Sequence, residues 1–307
     1  MVKEYTAGSP QREVIWTNLR AREIAELMTQ RVQEPVSRRV ARQLLKRHGF
    51  VRRQSQKKKS LKTTPDRNAQ FERIAELKGQ YLVAGQPVVS IDTKKKEMLG
   101  NFYREGKLHT RRTIEVLDHD FPSYSDGKVV PHGVYDMALN KAHVNLGTSR
   151  DTTEFACDSL AHWWQTRGRH DHPQARQLLI LCDGGGSNPT RSPLFRQDLQ
   201  GLSDRIGVEI RIAHYPPYCS KHNPIEHRVF PHVTRACEGV VFSSVPLVKE
   251  LIERTITRTG LQVSVDIIDK VYEVGRKAAD HLKSSLKIVA DAVLPKWNYV
   301  VSPSGSH

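Results

Sequence analysis

Residues 177–188, QLLILCDGGGSN, constrain the fold more than any other stretch. A continuous apolar run without alternation describes a strand buried on both faces, the pattern of a parallel sheet covered by helices. An aspartate and three glycines then end the run, at the strand end where open α/β sheets place their ligands. VEIRIAHY (208–215) reads as a second such strand, with SPLFRQDLQGLSDRIG as the helix between them. Upstream, QPVVSIDTKKKEMLGNFY (86–103) reads as a strand, a polar turn and a second strand forming a hairpin, and residues 129–148 supply another strand pair. Hairpins first and strand-helix alternation afterwards predict an α/β fold, a mixed sheet with helices on its faces.

Several helices follow from periodicity. Asp151 is placed to cap DTTEFACDSLAHWWQTRG, with Phe155, Ala156, Leu160, Trp163 and Trp164 facing inward. NPIEHRVFPHVTRACEG reads as a further helix, interrupted near Pro231, and a helix from about Asp66 buries Phe71, Ile74 and Leu77. Near the start, Thr17 is a candidate N-cap for TNLRAREIAELMT, with Ile24, Leu27 and Met28 on one stripe. Ser37 can cap SRRVARQLLKRHG, whose Val40, Ala41, Leu44 and Leu45 form a stripe and whose Gly49 stops it. The opposite face of that second helix carries Arg38, Arg39, Arg42, Lys46 and Arg47, so the pair reads either as a helix-turn-helix presenting cations to DNA or as an ordinary basic amphipathic helix pair.

Charge sharpens this reading. The 307 residues carry a net charge of +15, and twelve Lys or Arg against the single acid Asp66 lie between Arg38 and Arg67. Arg52, Arg53, Lys57, Lys58 and Lys59 extend the basic run through residues 50–65, which have no apolar period and read as an extended linker. A polyanion is the natural partner of such a concentration, through counterion release from phosphates; a solvated basic linker is the alternative. No apolar run approaches the roughly 20 residues of a membrane span, and the N-terminus lacks the apolar stretch of a signal peptide. A cytoplasmic, nucleoid-associated protein without a membrane partner is expected, with Cys157, Cys182, Cys219 and Cys237 as free thiols.

Three carboxylates occupy privileged places. Asp92 ends an alternating strand, Asp183 ends LLILC, and Glu226 stands in the first turn of the helix opened by Asn223-Pro224. Each also has a structural explanation: Asp92 as a turn residue paired with Lys94, Lys95 or Lys96, Asp183 as the initiator of a glycine turn, and Glu226 as a capping-box carboxylate. If the two strands are neighbours and the helix packs on them, the three carboxylates converge. Their mutual repulsion is then relieved by a divalent ion, and oxygen-only donors favour Mg²⁺ or Mn²⁺.

The stretches VSIDTKKKE, CDGGGSN and PPYCSKHNPIEHRVF, together with the closing LPKWNYVVSP, resemble the Rhodopirellula-type DDE transposases, an insertion-sequence family of the mariner-like superfamily. The likeness covers most of residues 10–303, and an aspartate-triple-glycine-serine-asparagine motif followed 43 positions later by the glutamate of NPIEH is specific. It implies an RNase H-like catalytic core, a mixed sheet with helices on both faces, over residues 69–303 with C-terminal helices. Ahead of it would stand a basic linker (50–68) and a partial helix-turn-helix DNA-binding region (1–49). By position, Asp92, Asp183 and Glu226 form the catalytic, metal-binding triad. Two Mg²⁺ ions there would activate a water to cut a transposon end and then stabilise attack of the freed 3′-hydroxyl on target DNA. Lys94, Lys95 and Lys96 are candidates for phosphate contact, Ser187 and Asn188 for orienting the strand or a metal-bound water, and pairing two ends implies a homodimer on DNA.

Departures and rivals accompany the likeness. The family usually has a further helical DNA-binding segment ahead of the part matching Met1, so the chain is expected to be truncated or misassigned at its start, with its triad intact. His222 and Pro224 stand where the family commonly has Trp and Lys. A non-catalytic DNA-binding repressor and a nuclease that hydrolyses without strand transfer are the alternative functions. Cys219, His222 and His227 crowd one helix start without a partner CxxC, a poor zinc pattern, and no Gly-Lys-Ser/Thr follows the glycines, which excludes a P-loop. His119-Asp120 reads as part of a loop.

Overall fold

A computed structural model describes residues 6–9, 14–53, 65–190, 192–278 and 286–305. The chain divides into two units, Met1–Lys59 and Ser60–His307. The linker lysines Lys57, Lys58 and Lys59 lie outside the described residues.

In the first unit, β1 (Thr6–Ser9) and β2 (Val14–Thr17) form an antiparallel hairpin ahead of helices α1 (Ala21–Val32) and α2 (Arg38–Arg47). Thr17 therefore ends a strand and does not cap a helix. The N-cap of α1 is Arg20, whose backbone N–H donates to Glu23 Oε2 at 2.5 Å. Ser37 caps α2 as its sequence predicts, accepting from the Val40 N–H at 3.3 Å. At the other end of α2, Gly49 adopts φ +75°, and the N–H groups of Gly49 and Phe50 return to the carbonyls of Lys46 and Leu45. That pairing is a Schellman closure, which needs a left-handed residue and so favours glycine. Ile24, Ala25 and Ala41 form the small core between the helices, with Leu19, Met28 and Leu45 against it. Val40 is exposed, contrary to the predicted stripe, because the contact between the helices centres on Ala41. Arg38, Arg39, Arg42, Lys46 and Arg47 all face solvent.

The second unit opens with α3 (Arg67–Val83) and is built on a nine-stranded sheet. Its strands are β3 (Val88–Thr93), β4 (Glu97–Leu99), β5 (Gly127–Asp136), β6 (Lys141–Gly147), β7 (Gln177–Cys182), β8 (Glu209–His214), β9 (Gln262–Ile268), β10 (Ile288–Ala290) and β11 (Asn298–Val301). The order is β10-β11-β8-β7-β3-β5-β6-β9, with β4 added on β5. An antiparallel meander β3-β5-β6 is followed by β7 and β8, which run parallel to β3, the arrangement of an RNase H-like core. The helices are α4 (Thr153–Trp163), continued by a π turn Trp164–Gly168 and α5 (Arg169–Asp171), then α6 (Pro193–Ile206), α7 (Pro224–Arg228), α8 (Phe230–Ala236) and α9 (Val245–Glu253).

Both faces of the sheet are covered. On one, Val89, Ile91, Leu178, Ile180 and Ile212 pack against Leu160 and Trp163 of α4 and Phe195 and Leu199 of α6. On the other, Val88, Leu179 and Leu181 meet Ile74 and Leu77 of α3, while Tyr135, Val144 and Leu146 meet Ile225, Phe230 and Val248 of α7, α8 and α9. This alternation is why the 177–182 run is apolar throughout: β7 has a helix layer on each side.

Three local expectations change. The stretch 86–103 is not a hairpin, because β3 and β4 each pair antiparallel with β5 and so run in the same direction, as two parts of one interrupted strand. The N-cap of α4 is Thr152, accepting from the Phe155 N–H at 3.2 Å, while Asp151 accepts from the Thr93 hydroxyl at 3.1 Å. Beyond α9 the described chain returns to the sheet as β9, β10 and β11, where C-terminal helices were expected. The helix after Asn223 breaks at Val229 with Pro231 in the first turn of α8, as predicted. All four cysteines are free and buried, and among the described residues no helix is long and apolar enough to cross a membrane.

Candidate active site

The register of β3 on β7 fixes two carboxylates. Ser90 lies opposite Leu181 in a parallel pair, so two residues further along Asp92 and Asp183 stand level on adjacent strands, on the same face of the sheet. Glu226, on α7, comes close enough to Asp92 for its carboxylate to raise the pKa of Asp92. Asp92 thus has each of the other two acids as a neighbour, while the three carboxylates do not form a group with one oxygen from each within 4.8 Å of one another.

Asn223 explains how α7 is held there. Its Oδ1 accepts from the Ser90 hydroxyl at 2.5 Å and its Nδ2 donates to the Ile91 carbonyl at 2.9 Å, while the Ile225 N–H donates to Ser90 Oγ at 3.0 Å. Both side chains are fully buried. Asn223 occupies the N-cap position with extended backbone but makes no side-chain cap bond; its amide is spent on the strand instead. Gly133, opposite Asp92 on β5, lets α7 lie close, since a Cβ there would stand 2.6 Å from Ile225 Cδ1 and 3.0 Å from the Phe230 ring. Neither Ser90 nor Gly133 is singled out by sequence; the one available signal is a serine inside an otherwise apolar strand two residues before an aspartate.

Electrostatics follow from this crowding. Burial, then the Asp183 charge, then the contact with Glu226 push the Asp92 carboxyl up to about 8, against the opposing Thr93 N–H. Burial also raises Asp183, whose Oδ1 accepts from the Gly185 N–H at 3.3 Å. The turn and ligand readings of Asp183 are therefore compatible, one oxygen engaging the glycine loop. A buried carboxyl forced to keep its proton by two like neighbours marks a place where a divalent cation lowers the energy, and an all-oxygen donor set fits Mg²⁺ or Mn²⁺.

The surroundings sort the remaining candidates. Thr93 Oγ1 links Asp151 to Ser187 Oγ at 3.3 Å, tying the glycine loop to the start of α4. Ser187 and Asn188 are buried beside the site, and Asn188 Oδ1 has no protein partner. Lys94 is not free for phosphate, because it and Arg104 clamp Glu97, holding that carboxyl below its usual range despite its burial. Lys95 and Lys96 are exposed and, with Lys94, Tyr103, Arg104 and Glu226, line a groove of about 660 Å³. Arg52 and Arg53 are exposed in the first unit. Cys219, His222 and His227 do not converge on a metal-binding point. Cys219 Sγ accepts from Arg67, and His222 packs edge-on against Phe71. His119 pairs with Asp118, not Asp120, on an exposed loop.

The family model described as the Rhodopirellula transposase DDE domain matches residues 1–303. No curated protein matches the chain. Among solved structures it is similar to the Mos1 transposase paired-end complex with left transposon end, at 13% identity and a TM-score of 0.47 over 76% of this chain and 65% of that one. The Mos1 strand transfer complex gives 14% identity and a TM-score of 0.46 over 76% and 64%. The human cytomegalovirus terminase nuclease domain gives 11% identity and a TM-score of 0.25 over 65% and 71%. The chain spans 64 to 65% of the length of these two Mos1 chains.

Proposed function

The chain belongs to the Rhodopirellula transposase DDE family, and on that premise we propose that it is an insertion-sequence transposase that cuts transposon ends and joins them to target DNA. One observation supports the reading: Asp92 and Asp183 stand level on adjacent parallel strands while α7, bolted to β3 through Asn223, carries Glu226 beside Asp92.

In this reading Asp92, Asp183 and Glu226 hold two divalent ions, Mg²⁺ or Mn²⁺. When bound, the ions supply Lewis-acid activation of the attacking oxygen and neutralise charge at the scissile phosphate. Asp92, whose pKa is raised by burial and by its acidic neighbours, would give up its proton to hold an ion there. The glycine loop after Asp183 keeps bulk away from the strand end, and Ser187 and Asn188 present a hydroxyl and an unpartnered amide oxygen to the site margin. Lys95 and Lys96 meet backbone phosphate along the groove beside Glu226, with Lys94 bracing its wall through Glu97. Arg38, Arg39, Arg42, Lys46 and Arg47 on α2, with Arg52, Arg53 and the lysines Lys57, Lys58 and Lys59, supply the sequence-independent hold on DNA. Two copies acting on paired ends complete the assembly.

The test uses purified protein, Mg²⁺ and DNA carrying the element's terminal repeats. Nicking and joined product are expected, and both disappear in Asp183→Asn. Joined product undiminished in that variant sinks the triad, and cut ends without any joined product convert the reading to a nuclease.

A further inference from the structure

A second constellation lies on the opposite face of the sheet from Asp92. His143 on β6 pairs with Val134, which belongs to the core beneath α4, so its ring points towards that helix. Asp266 on β9 stands opposite Asn145, one side-chain alternation further along the same parallel pair. His162 projects from the last turn of α4. Its Nε2 lies 3.1 Å from Asp266 Oδ2, and His143 Nε2 lies 3.6 Å from the same oxygen. One nitrogen from each histidine and one aspartate oxygen all fall within 4.8 Å of one another. Zinc bonds of about 2.0–2.1 Å to imidazole give a tetrahedron with edges of roughly 3.4 Å, and the two measured edges, 3.1 and 3.6 Å, bracket that spacing, the shorter one being also that of a hydrogen bond.

The hydrogen bonds hold the buried member in place. Ser264 Oγ lies 2.8 Å from His143 Nδ1 and 3.5 Å from the Ala142 carbonyl, so the hydroxyl engages the ring nitrogen that faces away from Asp266. An ion at Nε2 requires the ring proton to sit on Nδ1, where Ser264 Oγ can accept it. Asn145 spends its Nδ2 on the Ser159 carbonyl and turns Oδ1 towards His143 Nε2 at 3.3 Å. His143 Nε2 therefore faces two acceptor oxygens, those of Asn145 and Asp266, a place filled by the ring's own N–H or by a cation. Lys249 Nζ lies 3.8 Å from Asp266 Oδ1 and leaves Oδ2 to the histidines. A ligating histidine whose second nitrogen is held by a side-chain partner is the usual outer-shell arrangement of a metal centre. The π turn Trp164–Gly168 begins two residues after His162, with the Thr166 hydroxyl donating to the His162 carbonyl at 2.8 Å.

We propose that His143, His162 and Asp266 form a second metal site, distinct in place and chemistry from the acidic triad, that takes a borderline transition-metal dication, Zn²⁺ foremost. Two imidazoles and one carboxylate suit Zn²⁺ or Co²⁺ where the triad's oxygens suit Mg²⁺. A cleft of about 380 Å³ lined by His143, Trp163, Arg167 and Ser264 adjoins the His143 side of the site. The ion staples edge strand β9 to β6 and α4, segments far apart in the chain, and so stabilises the sheet edge.

The experiment uses the full chain carrying Asp92→Asn and Asp183→Asn, with Mg²⁺ in excess, so that its outcome is independent of the triad. Zn²⁺ is titrated by calorimetry, and Co²⁺ by the visible absorption of a four-coordinate ion. One ion per chain and a rise in melting temperature with Zn²⁺ are expected. His162→Ala and Asp266→Ala, both partly exposed positions, abolish the four-coordinate Co²⁺ spectrum and the thermal shift while leaving the metal-free circular dichroism unchanged. Ser264→Ala weakens Zn²⁺ about 10- to 100-fold, as expected for an outer-shell partner. Absence of saturable Zn²⁺ binding, or binding equally tight in His162→Ala and Asp266→Ala, overturns the assignment.

Discussion

The Ser90 hydroxyl on β3 donates to Asn223 Oδ1 at 2.5 Å, joining the strand that carries Asp92 to the helix that carries Glu226. Because both groups are fully buried, removing either leaves a polar partner unsatisfied, at a cost of about 1–3 kcal/mol. Asn223→Ala is expected to lower the unfolding free energy measured in urea by that amount and to reduce strand cleavage out of proportion, since α7 loses its tether. Ser90→Ala should do the same. Cleavage at the wild-type rate by a folded Asn223→Ala protein would remove the tether from the mechanism.

Proton linkage at Asp92 gives a pH signature. The folded-state value near 8 lies above the ordinary 3.8, so the native chain holds a proton that the unfolded chain releases. Metal-free stability therefore falls as pH rises from about 4 to about 8 and levels off beyond. In Asp92→Asn that fall shrinks, and the variant overtakes the wild type on the alkaline side. Chemical denaturation across this range in EDTA is the measurement, with Mg²⁺ expected to stabilise the wild type most at the alkaline end. A wild-type stability that climbs through the window would contradict the crowded site.

Gly133 tests the seat of α7 from the other side. A methyl there meets Ile225 Cδ1 at 2.6 Å and the Phe230 ring at 3.0 Å, so Gly133→Ala forces those side chains to shift and disturbs the seat of α7 beside Asp92. Cleavage is expected to drop at least tenfold with destabilisation of about 1–3 kcal/mol. Equal activity would show that α7 tolerates displacement.

Lysines next to one another are predicted to behave differently. Lys95→Ala with Lys96→Ala should weaken DNA binding and flatten the slope of log affinity against log salt by about 0.9 for each phosphate no longer neutralised, without changing stability. Lys94→Ala should leave that slope unchanged and destabilise the Glu97 clamp instead. Arg42→Ala on α2 belongs to the first pattern. Salt-dependent fluorescence anisotropy separates the two.

Much of the catalytic face is legible in the sequence because it rests on short-range rules. A strand buried on both sides leaves a continuous apolar run, its end leaves an acid and glycines, and a Pro at the first helical position announces α7. The function of Asn223 is not legible, since a cap and a tertiary tether use the same residue before the same proline, and only the partner, 133 residues away at Ser90, separates them. Lys94 resembles its neighbours until the fold sets Glu97 and Arg104 beside it. The hairpin read into 86–103 fails because polar residues that interrupt a strand resemble those that reverse it; β5 decides between them. Nothing local announces that His143, His162 and Asp266 meet, for three separate elements bring them together.

The two outer regions of the sheet are supplied late. β9 covers one flank beside β6, and β10 with β11 covers the other beside β8, all from residues 262–301. The five strands that carry the site, β3 and β5 to β8, are complete by His214. During synthesis those strands emerge first, with unpaired backbone on both flanks, and an exposed strand edge is a template for pairing with other chains. Protection of the nascent core therefore depends on residues 262–301, and interruption of synthesis before β9 yields a product prone to association.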